Sequence, residues 1–154
     1  MAQESDVLWG LYLEHCTSSR HHESLRATLT NLFLTITAGV TGVIALDRKI
    51  NAADLPLALF IVLLGVFGAL IAAKHYERFQ MHTERARAHR DELESLLPAT
   101  KIRALKQKAD ATHNAEWPRL HKLRLFKLWV GIHIAIASFG VVLSLVALFL
   151  PIAG

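Results

Sequence analysis

The sequence predicts an all-α integral membrane protein with three transmembrane helices. Three windows of the 154-residue chain, at 27–46, 55–73 and 128–150, contain no charged residue. Each has about the 20 residues that a helix needs to cross the hydrocarbon core of a bilayer. Helices of a small soluble domain keep a polar side toward water, whereas these windows have no charged residue on any face. We therefore expect residues 1–154 to form a single unit whose spans are these three windows.

The distribution of charge predicts how the spans are oriented. Of the 17 Lys and Arg residues, 13 lie within residues 74–127, and none follows Lys127. Basic residues in short segments beside a span stay in the cytoplasm. We therefore expect residues 1–26 and 74–127 in the cytoplasm and the carboxyl terminus in the periplasm. Because residues 74–127 mix basic with acidic side chains and lack an aromatic platform, their charge does not indicate nucleic-acid binding.

Three features that the sequence lacks help to predict the cellular compartment of the protein. Residues 1–26 are polar and lack a short apolar core before a small-residue cleavage site, so we expect no cleaved secretion signal. The single cysteine, Cys16, excludes an internal disulfide, and no Asn-x-Ser/Thr glycosylation site occurs. Neither feature indicates an oxidising secretory location. These features favour a bacterial inner membrane.

The first two spans are expected to continue as helices outside the membrane. No Pro or Gly lies between Leu11 and Ala38, and residues 74–97 contain no helix breaker before Pro98. Apolar and small residues recur in both stretches at spacings of three and four, which is typical of a packed helix. We expect an amphipathic cytoplasmic helix over 1–26 that continues into the first span. Together the two helices would form a cytoplasmic helical stalk.

The connections between the helices carry their own signals. Asp54 is placed to be the N-cap of the second helix, with Pro56 in its first turn, so the first two spans should form an antiparallel hairpin. After Pro98 the pattern predicts a short helix over 99–111. The last helix is predicted to run from 119 to 150, into and through the membrane.

Each span carries a stripe of small or weakly polar residues. Such residues let helices approach closely in lipid, where no hydrophobic effect drives helices together. Because one chain of three spans has few faces to bury, we expect a homo-oligomer. The stripe of the first span has two open roles, helix packing or the lining of a water-filled path. The three stripes contain Asn31, Thr35, Ala38 and Gly42; Gly65, Gly68, Ala69 and Ala72; and His133, Ala137, Gly140, Ser144 and Ala147.

Histidines form two rows with a spacing of seven residues. His75, His82 and His89 follow one face of the second helix, and His15 and His22 one face of the first. In an antiparallel pair of helices the rows could meet, with His15 near the height of His82. The imidazoles could bind a metal ion, sense protons, or form polar positions in the helix seam. Successive histidines lie about 10 Å apart on one helix, so no local motif encodes a metal site and the seam is the simplest interpretation.

No motif indicates an enzyme. The His21-His22-Glu23 triplet lacks the matching histidine boxes of membrane di-iron enzymes, and neither a Gly-rich phosphate loop nor a Ser-His-Asp arrangement can be assigned. His133 is the only histidine inside a span, and a packing or hydrogen-bonding role is expected for it. We therefore expect no catalytic residue, cofactor or metal. Arg85 and neighbouring basic residues could hold a small anionic ligand or lipid headgroups, or form a solvated face.

Residues 10–98 resemble small bacterial membrane proteins of the RipA-type octameric family and the two-span effector domains called SLATT. The shared features are the basic cluster Arg20-His21-His22-Glu23, the membrane hairpin, the charged continuation His75-Tyr76-Glu77-Arg78 and the acidic Leu-Pro ending at 93–98. The third span departs from the two-span effectors. The resemblance implies homo-oligomerisation and, for the effectors, pore formation or membrane disruption in anti-phage defence.

Two classes of function are consistent with the predicted spans, the predicted stalk and the resemblance. The first is a homo-oligomeric pore or channel-like effector, gated from its cytoplasmic stalk. The second is a non-conducting membrane scaffold or regulatory subunit that recruits a cytoplasmic protein partner. Membrane lipid and further copies of the chain are expected partners in both cases.

Overall fold

The computed structural model describes residues 3–46 and 48–149, and these residues are almost entirely helical. Three short 3-10 turns precede α2, α3 and α4, at Ala52–Asp54, Pro98–Thr100 and Leu120–Lys122. Asp47 of the predicted hairpin turn and Leu150 at the predicted end of the third span lie outside the described residues. The four helices are α1 (Glu4–Ile44), α2 (Leu55–Leu96), α3 (Ile102–Glu116) and α4 (Leu125–Phe149).

Three of the helices, α1, α2 and α4, are long and apolar enough to cross a membrane. The predicted all-α fold with three candidate spans is thereby confirmed. Helices α1 and α2 contain 41 and 42 residues, about twice the ~20 that a bilayer core requires. Each therefore runs without a break well beyond its charge-free window, as the absence of internal helix breakers predicts.

A capped 3-10 turn, which the sequence did not predict, precedes α2. Asn51 is the N-cap residue of the 3-10 turn Ala52–Asp54, which leads directly into α2 at Leu55. The Asn51 Oδ1 atom accepts a hydrogen bond from the Ala53 backbone N–H at 2.9 Å. Asp54 Oδ2 in turn accepts one from the Asn51 backbone N–H at 3.0 Å. Both residue types cap well, and the reciprocal bonds give Asp54 the second role in a capping box.

Helix α3 lies further along the chain than the predicted 99–111. Pro98 begins a 3-10 turn, and Lys101 adopts the left-handed conformation with φ 50° and ψ 39°, so the helix begins only at Ile102. At its start the backbone N–H of Arg103 donates to the Glu94 carboxylate, 3.2 Å from each oxygen. The helix ends before Pro118, because the residue before a proline is disfavoured in helical conformation.

The last helix is also shorter than predicted. Residues 120–122 form a 3-10 turn, and Leu123 is extended at φ −72° and ψ 118°, so α4 begins at Leu125 rather than at 119. The His121 ring and the Trp117 carbonyl oxygen are 2.7 Å apart, which stabilises the separate turn. The prediction of one helix from 119 is therefore wrong over its first six residues.

The chain forms two compact units, each built from two stretches of sequence. Unit 1 comprises the described residues of Met1–Glu23 and Tyr76–Leu125, and unit 2 those of Ser24–His75 and Phe126–Gly154. In unit 1, α1 and α2 meet around the buried side chains of Ser19, Ala86 and Leu93. The core of unit 2 contains Ile44, Ala58, Ile61, Ile136 and Leu143.

Small residues of α2 and α4 bring these helices into close contact inside unit 2. A Cβ atom added at Gly65 would overlap the backbone of Ala137, and one at Gly68 would overlap the His133 ring. A Cβ atom at Gly140 would lie only 2.7 Å from the backbone nitrogen of Val62. The stripes predicted on the second and third spans thus pack against each other within one chain, as expected of small residues in lipid.

Replacing Gly65 with Ala should therefore weaken the contact between α2 and α4. Since backbone atoms of Ala137 occupy the space, we expect a loss of about 1–3 kcal/mol in the free energy of unfolding. Gly131→Ala, on α4, is the matched control, because nothing lies within 4 Å of a Cβ atom there. Thermal unfolding of the two purified variants in detergent measures the difference. Equal midpoints for Gly65→Ala and the control would contradict the close contact.

Candidate functional site

Four histidines of unit 1 form one stack between α1 and α2. The rings follow the order His89, His15, His82, His22, with centroids 5.4, 5.3 and 5.5 Å apart. Rings from the two helices alternate because the helices are antiparallel here and each row repeats every seven residues. The two rows that the sequence predicts on separate helices thus meet. His75, the remaining member of the α2 row, belongs to unit 2.

The centre of the stack is a direct contact between two imidazoles. The Nδ1 atoms of His15 and His82 are 3.1 Å apart, which is hydrogen-bond distance. One of these nitrogens must carry a proton and the other must accept it, since two bare or two protonated nitrogens could not bond. The pair therefore holds one proton between its facing atoms.

The surroundings of His82 oppose its protonation. Burial lowers the pKa of His82, and the neighbouring His15, His22, Arg85 and Arg78 lower it further. Arg85 is exposed on α2 and contributes to this effect through its charge. Within residues 3–46 and 48–149, no group of three or more His, Cys, Asp or Glu side chains is arranged to hold a metal ion. The hydrogen-bonded imidazoles of His15 and His82 can share or exchange a proton.

The stability of the protein should depend on pH through His82. Histidine in an unfolded chain titrates near about 6.5, and the folded-state pKa of His82 lies lower, so the unfolded state binds more protons as the pH falls. We therefore expect the free energy of unfolding to decrease between about pH 7.5 and pH 5.5. His82→Gln removes the titrating group and should flatten this decrease. Unfolding midpoints measured in detergent at both pH values test the expectation.

A suitable control for this experiment is His113→Gln, because His113 is exposed on α3 of the same unit. The control should keep the wild-type pH dependence. Asp91 does not interfere: its hydrogen bond with Arg90 lowers the pKa of its carboxyl, so its contribution is lost only below about pH 4. A His82→Gln protein that loses as much stability as the control would exclude His82 as the source.

A cavity of about 510 Å³ opens between α1 and α2 in unit 1. Along α1 and α2, the residues that line this cavity are interspersed with the histidines of the stack. Arg85, the arginine singled out from the sequence, does not line it. Arg20 does line it, and the only sequence signal for this is the spacing of four residues that places Tyr12, Cys16 and Arg20 on one helix face. The lining consists of Tyr12, Leu13, Cys16, Ser19, Arg20, Thr83, Ala86, Arg87 and Arg90.

In unit 2, His133 is held by a buried hydrogen bond. His133 and Thr30 are each 1% exposed, and Thr30 Oγ1 lies 3.0 Å from His133 Nε2. The Thr30 hydroxyl donates its proton to the Arg26 carbonyl oxygen at 2.9 Å, so His133 Nε2–H must be the donor to Thr30. The His133 ring also packs edge-on against Phe33, with centroids 5.6 Å apart. These contacts give His133 the packing and hydrogen-bonding role expected from the sequence.

The stripe of α1 lies on the surface of the chain. Asn31, Thr35, Ala38 and Gly42 are all exposed, and nothing lies within 4 Å of a Cβ atom added at Gly42. Thr35 Oγ1 donates to the Asn31 carbonyl oxygen at 2.9 Å, which satisfies its hydroxyl proton locally. The Asn31 carboxamide makes no hydrogen bond among residues 3–46 and 48–149. This stripe therefore differs from those of α2 and α4, which pack against each other.

Comparison of the chain with protein-family models, with curated proteins and with solved structures finds no match. The resemblance to RipA-type and SLATT proteins stays a prediction. The fold defines an all-helical protein with three candidate membrane spans.

Proposed function

We propose that the chain forms a homo-oligomeric, pore or channel-like effector in a bacterial inner membrane, gated from a cytoplasmic helical stalk. The observation that carries this proposal is the exposed polar stripe of α1. Asn31, Thr35, Ala38 and Gly42 lie within the charge-free window of α1 and face away from the rest of the chain.

The physical reason is the cost of an unsatisfied amide in lipid. A bilayer core supplies no hydrogen-bond partners, so the Asn31 carboxamide needs one from another subunit or from water. The stripe from Asn31 to Gly42 extends along about 16 Å of helix, roughly half the hydrocarbon thickness. A closed ring of subunits would place the same face of every α1 around one axis.

The position of unit 1 supports gating from the cytoplasm. Thirteen basic residues lie in residues 74–127, and the positive-inside rule assigns this segment to the cytoplasmic side. Helices α1 and α2 each contribute residues to both units without a break. A change in how these helices pack in unit 1 would therefore act on the same two helices that contain candidate spans. The histidine stack is the part of unit 1 whose packing we expect to respond to pH, because the pKa of His82 is lowered there.

A second function, a non-conducting scaffold that recruits a cytoplasmic protein, is favoured by one specific observation. All residues of α3 after Ile102 are exposed, and apolar side chains remain uncovered around it. Leu105, Trp117, Leu120 and Leu123 are between 49% and 64% exposed. A partner protein docking on unit 1 would cover these side chains.

Asn31→Leu tests the pore directly. An apolar side chain in place of the carboxamide should stop ion flux, because an apolar constriction excludes water and ions. The oligomer should persist, since leucine packs well in lipid. Flux from liposomes containing the purified protein measures the first effect, and size-exclusion chromatography in detergent the second. Ser138→Leu, an exposed polar position on α4, is the matched control and should conduct as the wild type does. Unchanged flux in Asn31→Leu would remove the pore assignment.

Imaging of the protein in lipid nanodiscs separates the two functions. The pore requires a ring of subunits with a continuous opening on the axis, lined by Asn31 and Thr35. An oligomer whose axis is closed by packed apolar side chains would favour the scaffold instead.

A further inference from the structure

The cavity of unit 1 has a basic lining. Arg20 from α1 and Arg87 and Arg90 from α2 contribute to its wall, and no acidic side chain of the described residues lines it. Its volume of about 510 Å³ lies within the range of small-molecule pockets. Size and charge together indicate a small anion.

The neutral hydroxyl groups of the lining already donate their protons to hydrogen bonds within the protein. Thr83 Oγ1 donates to the Phe79 carbonyl oxygen at 2.8 Å, so the Ser19 hydroxyl, 3.0 Å from Thr83 Oγ1, must donate to Thr83. A hydrogen bond with Cys16 raises the pKa of the Tyr12 phenol above its ordinary value, and the phenol is neutral at neutral pH in either case. The attraction that the cavity offers to an anion comes from its three guanidinium groups.

The guanidinium groups retain N–H donors that are available to a bound anion. Arg20 is exposed and makes no ion pair within the described part of the chain. Arg87 pairs with Glu84 at 2.6 Å on an exposed surface, where such pairs contribute little. Arg90, whose side chain is only 19% exposed, is held by Asp91 through its Nε and Nη2 atoms at 3.0 and 2.7 Å. A guanidinium has five N–H donors, so Arg90 is fixed in position with donors remaining.

We propose that this cavity binds a phosphate-bearing anion, with Arg20, Arg87 and Arg90 as its ligands. The planar fork of arginine matches the oxygens of a phosphate group and forms paired, charge-assisted hydrogen bonds with them. The bound anion joins α1 to α2 at the positions that alternate with the histidine stack. This inference rests on the proposed function only in placing the cavity on the cytoplasmic side.

Two sources share this chemistry, a soluble phosphate compound and the headgroup of an anionic phospholipid. Isothermal titration of the full-length protein in neutral detergent with inorganic pyrophosphate tests the first source. For the second, thermal unfolding is compared in nanodiscs of phosphatidylglycerol and of phosphatidylcholine. Arg20→Gln should weaken pyrophosphate binding, or the stabilisation by phosphatidylglycerol, by about tenfold or more, since one charge-assisted contact is lost.

The matched control is Arg78→Gln, which removes an exposed arginine of α2 that does not line the cavity. It should bind as the wild type does, and circular dichroism should show equal helix content in both variants. Arg87→Gln provides a second cavity variant with the same expected loss. Arg20-dependent binding of pyrophosphate assigns the soluble source, and an Arg20-dependent effect of phosphatidylglycerol alone assigns the lipid.

The proposal is overturned if neither probe binds, or if Arg78→Gln weakens binding as much as Arg20→Gln, which would indicate attraction to overall charge. Its failure is distinct from that of the pore. Loss of the anion site leaves the effect of Asn31→Leu on flux intact, and a non-conducting oligomer still binds pyrophosphate through Arg20.

Discussion

The close approach of α2 and α4 is the constraint on which the rest of unit 2 depends. At Gly65 and Gly68 the space that a side chain would fill is occupied by Ala137 and His133 of the facing helix. In a bilayer, contact between helices rests on this kind of packing rather than on the hydrophobic effect. Because the small residues of α2 and α4 pack against each other, the polar stripe of α1 is the stripe that stays on the surface.

The same packing explains the buried hydrogen bond at His133. The absence of a side chain at Gly68 gives the imidazole room beside α2, and Thr30 then provides a partner for its Nε2–H. Both groups are 1% exposed, so neither could obtain a replacement partner from solvent. A buried polar contact thus joins α1 to α4, and α2 approaches the same imidazole ring at Gly68.

The sequence predicted the parts of the fold that depend on long patterns. Charge-free windows and the absence of helix breakers sufficed for the three candidate spans and for the continuity of α1 and α2. The boundaries of α3 and α4 were missed because they depend on local backbone geometry, namely the left-handed Lys101 and the turn at Leu120–Lys122. The meeting of the histidine rows followed from a spacing of seven residues. The proximity of Arg20 to Arg87 and Arg90 could not be predicted in this way, because those two arginines lie on another helix. The same holds for the pairing of Thr30 with His133, which lie 103 positions apart.

The single proton between His15 and His82 limits how many positive charges the hydrogen-bonded pair can carry. A first added proton can occupy an outer Nε2 atom, which leaves the shared Nδ1–H bond in place and strengthens it with a charge. A second proton would have to go to the accepting Nδ1, where two N–H groups and two positive charges would then face each other across 3.1 Å. The hydrogen bond between α1 and α2 at this level is therefore kept while one imidazole of the pair is neutral and is lost when both are charged.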